Sequence, residues 1–187
     1  PSGDSSRFES DPLVHDGRVF VLVGQKVNGR EAPKVLCYNL NSGAPDLLWS
    51  CEVAGEVIGG NVDESRQSFL TLAGNLVIAT SRGGAVTAVD QKTGKTAWLR
   101  LVTPNENARS IKNPTPLRAI FHEAIVYHLN SRSRVVQALD SASGGLIWSR
   151  DVENVNQLIA VKDGVLLLGT ENGLRGLNAT NGLDQQG

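Results

Sequence analysis

The chain has 187 residues, 40% of them apolar, with 18 basic and 19 acidic side chains and a net charge of −1. That composition supplies a real core and excludes a disordered or fibrous polymer, while near-neutral charge excludes the basic footprint of a general nucleic-acid binder or a protein held on anionic lipid. No run approaches the roughly 18 consecutive apolar residues of a spanning helix, the best being Gly164 to Gly169.

In chain order, residues 1–10 carry no pattern and are expected as a flexible N-terminal segment. The absence of Met and the start at Pro1 fit a processed chain or a segment of a longer one. Val19 to Val23 is a β-branched run behind the turn pair Asp16-Gly17, and Leu76 to Thr80 follows Gly74-Asn75. Ile125 to Leu129 follows His122-Glu123, and Val165 to Leu168 follows Asp163-Gly164. Phe69 to Leu72, Asn75 to Thr80, Ala85 to Asp90 and Thr96 to Val102 make four strands in one unit, and no window shows helical periodicity. The expected fold class is all-β.

These units repeat. Trp49, Trp98 and Trp148 stand 49 and 50 residues apart, each behind the same phrase. The phrase reads Cys37-Tyr38-Asn39-Leu40-Asn41-Ser42-Gly43, then Ala88-Val89-Asp90-Gln91-Lys92-Thr93-Gly94, then Ala138-Leu139-Asp140-Ser141-Ala142-Ser143-Gly144. A fourth copy, Gly176-Leu177-Asn178-Ala179-Thr180-Asn181-Gly182, lies near Gly187, where the chain ends, and has no Trp. The Asp or Asn opens a side-chain-capped turn, the Gly four places on supplies a left-handed backbone, and the Trp starts the next strand with a ring to bury. The first copy has Asn39 for Asp and two extra residues before its Trp; Ser143 replaces Thr in the third.

A unit of about 50 residues with four antiparallel strands is a propeller blade, stable only when stacked on its neighbours. The pattern Ala-x-Asp-x-x-Thr-Gly-x-x-x-Trp, intact at Ala88 to Trp98, resembles the repeat of quinoprotein-type (PQQ-like) β-propellers. That family includes the PQQ-dependent dehydrogenases and the outer-membrane assembly lipoprotein. The expected blades are 11–53, 69–102, 115–152 and an incomplete 156–187, part of a larger ring. The resemblance implies one of two functions. The first is a non-catalytic scaffold presenting loops to a protein or polysaccharide partner in a bacterial periplasmic or extracellular setting. The second is a fragment of an alcohol or sugar dehydrogenase that uses PQQ and calcium, none of whose ligands matches a residue here. Open blade faces would favour self-association.

Candidate sites weigh toward structure. The tryptophans read as core docking groups. Cys37 fills the small column, and register arithmetic across the 39–48 turn puts Cys51 roughly opposite, leaving a cross-strand disulfide and two reduced thiols both open. His15, His122 and His128 lack metal spacing, so no metal site and no catalytic residue is assigned. Gly59-Gly60, Gly83-Gly84 and Gly144-Gly145 follow turn logic without a phosphate-loop signature, and the sequon at Asn178 coincides with the repeat. The long polar connectors Ala54 to Ser68 and Thr103 to Arg118, and the weaker Arg30-Glu31-Ala32-Pro33-Lys34 insertion, are the segments expected to carry recognition.

Overall fold

The computed structural model describes residues 7–24, 26–27, 30–41, 43–44, 46–54, 69–81, 84–101, 117–130 and 133–185. All described elements are strands. They are β1 (Arg7–Phe8), β2 (Leu13–His15), β3 (Arg18–Gly24), β4 (Lys26–Val27), β5 (Arg30–Glu31), β6 (Lys34–Asn39), β7 (Asp46–Glu52), β8 (Phe69–Ala73) and β9 (Leu76–Thr80). Then follow β10 (Val86–Asp90), β11 (Thr96–Arg100), β12 (Ile120–His122), β13 (Ile125–Asn130), β14 (Val135–Asp140), β15 (Leu146–Asp151), β16 (Val155–Lys162), β17 (Val165–Thr170) and β18 (Gly173–Asn178).

Short turns join sequential strands, so each sheet is an antiparallel meander. β8 to β11 and β12 to β15 form two four-stranded blades in chain order, β2-β3-β6-β7 forms the first, and β16-β17-β18 the last. β1 pairs with β3 beyond the end of β2, Phe8 opposite Val23 and Leu13 opposite Phe20. Arg7 and Phe8, inside the segment expected to be free, are therefore tied to the first sheet. β4 and β5 make a small hairpin in the insertion between β3 and β6.

Alternation assigns each sheet one face toward the preceding blade and one toward the next. Phe20, Leu22, Val35 and Cys37 on the first blade pack on Leu70, Val77 and Ala79 of the second. Leu76, Ile78, Val86 and Ala88 pack on Ala119, Val126 and Leu139 of the third. Tyr127, Leu129, Val136 and Ala138 pack on Leu158, Leu166, Leu168 and Leu177 of the fourth. The inner strands adjoin, β8 touching β3 and β12, and β12 touching β16. The outer strands β7, β11 and β15 expose Leu48, Leu99 and Ile147 at the rim. This is radial stacking of sheets, the propeller expected from the repeat.

One feature recurs in all three Trp-bearing blades. Between the last two strands the register slips at Cys37/Tyr38, Ala88/Val89 and Ala138/Leu139. The extra residues are Leu48, Ala97 and Ile147, each directly before the Trp. The bulge turns the indole toward the next blade and sets it opposite Cys37, Ala88 or Ala138. That explains the small column: a larger side chain there would contend with the ring across the ladder.

The turn expected at His122-Glu123 lies one residue on, because His122 pairs with Ile125. Glu123 and Ala124 hold φ of 47° and 65°, the backbone of a type I′ hairpin without its usual glycine. Ala124→Gly is expected to raise stability by roughly 0.5 to 1 kcal/mol, since relief of left-handed strain exceeds the added unfolded-state entropy. Urea unfolding measures this, and a lower midpoint would contradict it.

Candidate functional site

The repeated phrase builds one device four times. Asp90 Oδ1 accepts from the Thr93 hydroxyl and backbone N–H, both at 2.8 Å, and from the Lys92 N–H at 3.1 Å. Asp140 repeats this with the Ser143 hydroxyl at 2.6 Å and its N–H at 2.8 Å. The hydroxyl donors hold both carboxyls below the usual carboxylate range. Asn178 Oδ1 does the same neutral work with the Thr180 hydroxyl at 2.6 Å, so the sequon's amide oxygen is committed to the turn. The residue after each Asx is fixed by its N–H: Gln91 to the Asn75 carbonyl, Ser141 to Ala124, Ala179 to Gly164 and Leu40 to Gly17.

That fixed residue then receives the preceding blade. Trp49 Nε1–H donates to the Gln91 carbonyl at 3.1 Å, Trp98 to Ser141 at 2.8 Å and Trp148 to Ala179 at 2.9 Å. The rings lie on the glycines that close the turns. Gly94, Gly144 and Gly182 have φ of 70°, 70° and 72°, and a Cβ on any of them would stand 2.6 Å from the indole of Trp49, Trp98 or Trp148. Glycine is required twice, for its backbone and for the ring's approach. Phe20 and Tyr127 tilt against Trp49 and Trp148 at centroid distances of 5.8 and 6.0 Å, and the Tyr127 hydroxyl shares the Ala179 carbonyl with Trp148.

A polar patch interrupts the seam between the second and third blades. His128 lies on the same face of β13 as Val126, opposite Gln137, and is 2% exposed. Among the described residues no hydrogen bond of good geometry reaches either ring nitrogen, and Gln137 Oε1 and Arg100 Nε are likewise buried without one. Burial pushes His128 down to about 4, opposed weakly by the Gly84 backbone, so the imidazole is neutral at ordinary pH. The sequence placed this residue on a strand but gave no sign of which face it took.

The remaining candidates stay apart. Cys37 sits opposite Trp49, and Cys51 opposite Val35; both thiols are free. The turn closes at the Asn39–Asp46 pair, two positions tighter than the register arithmetic assumed, which leaves the two sulfurs out of step. Burial raises the Cys37 thiol, Arg18 opposing, while Cys51 Sγ meets Thr96 Oγ1 at 3.4 Å. His15 and His122 are half-exposed beside Asp16 and Glu123 at the ends of β2 and β12, in separate blades. Among the described residues no three His, Cys, Asp or Glu side chains gather. Gly84 packs under Asn130. Residues 55–68 and 102–116, with Gly59, Gly60 and Gly83, lie outside the described residues. So do the side chains of the 30–34 insertion up to Glu31. No described helix is long and apolar enough to cross a membrane.

Sheets stacked through an indole-on-glycine seam define a β-propeller built from PQQ-like repeats. A family model described as outer membrane protein assembly factor BamB matches residues 5–152. The chain belongs to this family. BamB from Moraxella catarrhalis superposes with TM-score 0.62 at 18% identity, over 92% of this chain and 50% of that one. A europium-containing methanol dehydrogenase gives 0.59 at 13% identity, over 93% and 40%. The computationally designed Ika4 protein gives 0.56 at 15% identity, over 95% and 94%. The chain thus spans about half the length of the BamB structure that it resembles. No curated protein sequence matches it.

Proposed function

We propose that this chain is a non-catalytic propeller scaffold whose partner is a protein, working in an extracytoplasmic compartment. The observation that carries the reading is how the repeat spends its chemistry. The carboxylates of Asp90 and Asp140 are consumed as turn caps, and the indole N–H groups of Trp49, Trp98 and Trp148 as seam bonds. What repeats is construction. Membership of the assembly-factor family supports both the protein partner and the compartment.

The competing expectation is a PQQ- and calcium-dependent dehydrogenase. A calcium–quinone site needs converging carboxylate and amide oxygens. The described residues do not fit it: Asp90 and Asp140 face their own turns, and no acidic cluster gathers among them. Likeness to a dehydrogenase at 13% identity carries the fold alone. Titrating PQQ with calcium while following the melting temperature separates the two readings. The scaffold predicts an unchanged midpoint; a saturable rise of several degrees, which mass action requires of any ligand bound by the native state, would overturn it.

A further inference from the structure

The outer strands β7, β11 and β15 differ in how they guard their free edges. Pairing alternates along an antiparallel ladder, so every second residue of an edge strand turns its N–H and C=O outward. Val53 N–H bonds to the Pro33 carbonyl at 3.0 Å and Val152 N–H to the Arg134 carbonyl at 2.8 Å, which fixes the phase in the first and third blades. The second blade pairs in the same columns: Trp98 stands opposite Ala88 and Arg100 opposite Val86, as Trp148 does opposite Ala138 and Arg150 opposite Val136. The outward residues are therefore Ser50 and Glu52 in the first blade, Leu99 and Leu101 in the second, and Ser149 and Asp151 in the third.

Two of these edges carry a serine and then an acid, and charge on an edge disfavours an added strand. The second blade has leucine at both positions, 51% and 67% exposed. The bulge is common to all three blades, so the difference lies in these two side chains. Outward N–H and C=O groups in register are complementary to another extended backbone, and leucines beside them take apolar side chains. Charge enters at one end. Lys95, directly before β11, is exposed, while Lys92 lies close enough to Asp90 to lower its carboxyl. The corresponding turns of the other blades contain no lysine.

We propose that the outer edge of the second blade binds an extended apolar segment of a partner protein by strand addition, antiparallel to β11, with an acidic residue at the segment's C-terminal end against Lys95. The inference rests on the reading of this chain as a scaffold for a protein partner, and it adds the form of that partner. Leu99 and Leu101 each present one N–H and one C=O, a short register suited to a reversible contact. The seam is left intact, because Trp98 and Arg100 reach the other way, to the Ser141 and Gly144 carbonyls of the third blade.

The probe is a blocked seven-residue peptide of alternating valine and threonine that ends in glutamate. It should shift the Leu99 and Leu101 amide resonances of the parent chain saturably and slow their hydrogen exchange at least tenfold, leaving Ser50, Glu52, Ser149 and Asp151 in place. Leu101→Asp copies the third blade's guard onto the second. It should weaken the peptide at least tenfold at a nearly unchanged melting temperature, because the side chain it replaces is largely exposed. Lys95→Glu should weaken this peptide and strengthen one ending in lysine, and Ser149→Leu with Asp151→Leu should open a second site on β15. Shifts on all three edges or on none, binding undiminished by Leu101→Asp, equal affinity for a peptide that begins with glutamate, or two copies of the chain pairing through Leu99 and Leu101 would overturn the proposal. A rise in melting temperature with PQQ and calcium would sink the scaffold reading alone, and a silent peptide without such a rise would sink the edge alone.

Discussion

Trp98→Ala is expected to lower stability by about 3 to 5 kcal/mol, the range for truncating a large aromatic in a packed core. The indole is buried between Ala88 on its own sheet and Gly144 on the next, so the loss is felt on both sides of one seam. Its N–H is also the donor to the Ser141 carbonyl at 2.8 Å. Trp98→Phe separates the two contributions: it keeps most of the area, loses the donor, and should cost about 1 to 3 kcal/mol. Against the 5 to 15 kcal/mol that typically holds a domain together, the alanine variant comes close to unfolding the chain. Urea denaturation of both variants checks this. A Trp98→Ala midpoint within error of the parent would remove the seam as the main source of cohesion.

Acidification supplies the second large effect. His128 is pushed down to about 4 by burial, against about 6.5 in an unfolded chain. Between those values the unfolded state binds the proton and the folded state does not, so stability falls as pH falls. The contribution is complete above pH 6.5 and is lost progressively toward pH 4. At about 1.4 kcal/mol per pH unit the loss amounts to roughly 3 kcal/mol. The carboxyls of Asp90, Asp140 and Asp184, all held below the usual range, act in the same direction but in a lower window. Their stabilisation is present above the unfolded carboxylate value and disappears as pH drops through the depressed folded values. Urea midpoints at pH 7.5 and 4.5 should differ strongly in the parent chain and much less in His128→Leu. Equal slopes in the two proteins would mean that another group carries the titration.

The blades, their order and the seam residues were legible in the sequence because a fixed period repeats short-range rules. An Asx four residues before a glycine specifies its own turn, and β-branched runs between turns specify strands. The partner of each indole was not legible. Trp98 meets Gly144 from the following repeat, and only stacking joins them. The bulge was hidden for a related reason: it belongs to a pair of strands, and Ala97 looks like any strand residue until Val89 is seen opposite Thr96. Spacing alone puts Cys37 roughly opposite Cys51 because a turn over 39–48 is two positions looser than the closure at Asn39–Asp46. His128 escaped because one strand of six residues gives no signal of which face meets polar neighbours and which meets Leu158 and Leu166.

The bulge before each tryptophan lets the turn ahead of it vary in length without moving the ring. Gly43 to Trp49 spans two residues more than Gly94 to Trp98, yet the ring of Trp49 still reaches the Gln91 carbonyl at 3.1 Å. The two added positions fall between Gly43 and Asp46, ahead of the Asn39–Asp46 pair that corresponds to Asp90 with Lys95. The rungs from there to the Trp are the same in both blades, so the indole keeps its side. A residue added inside the strand would instead turn the indole outward and strip the neighbouring blade of its cover. Length variation between such repeats should therefore collect between the glycine and the first rung.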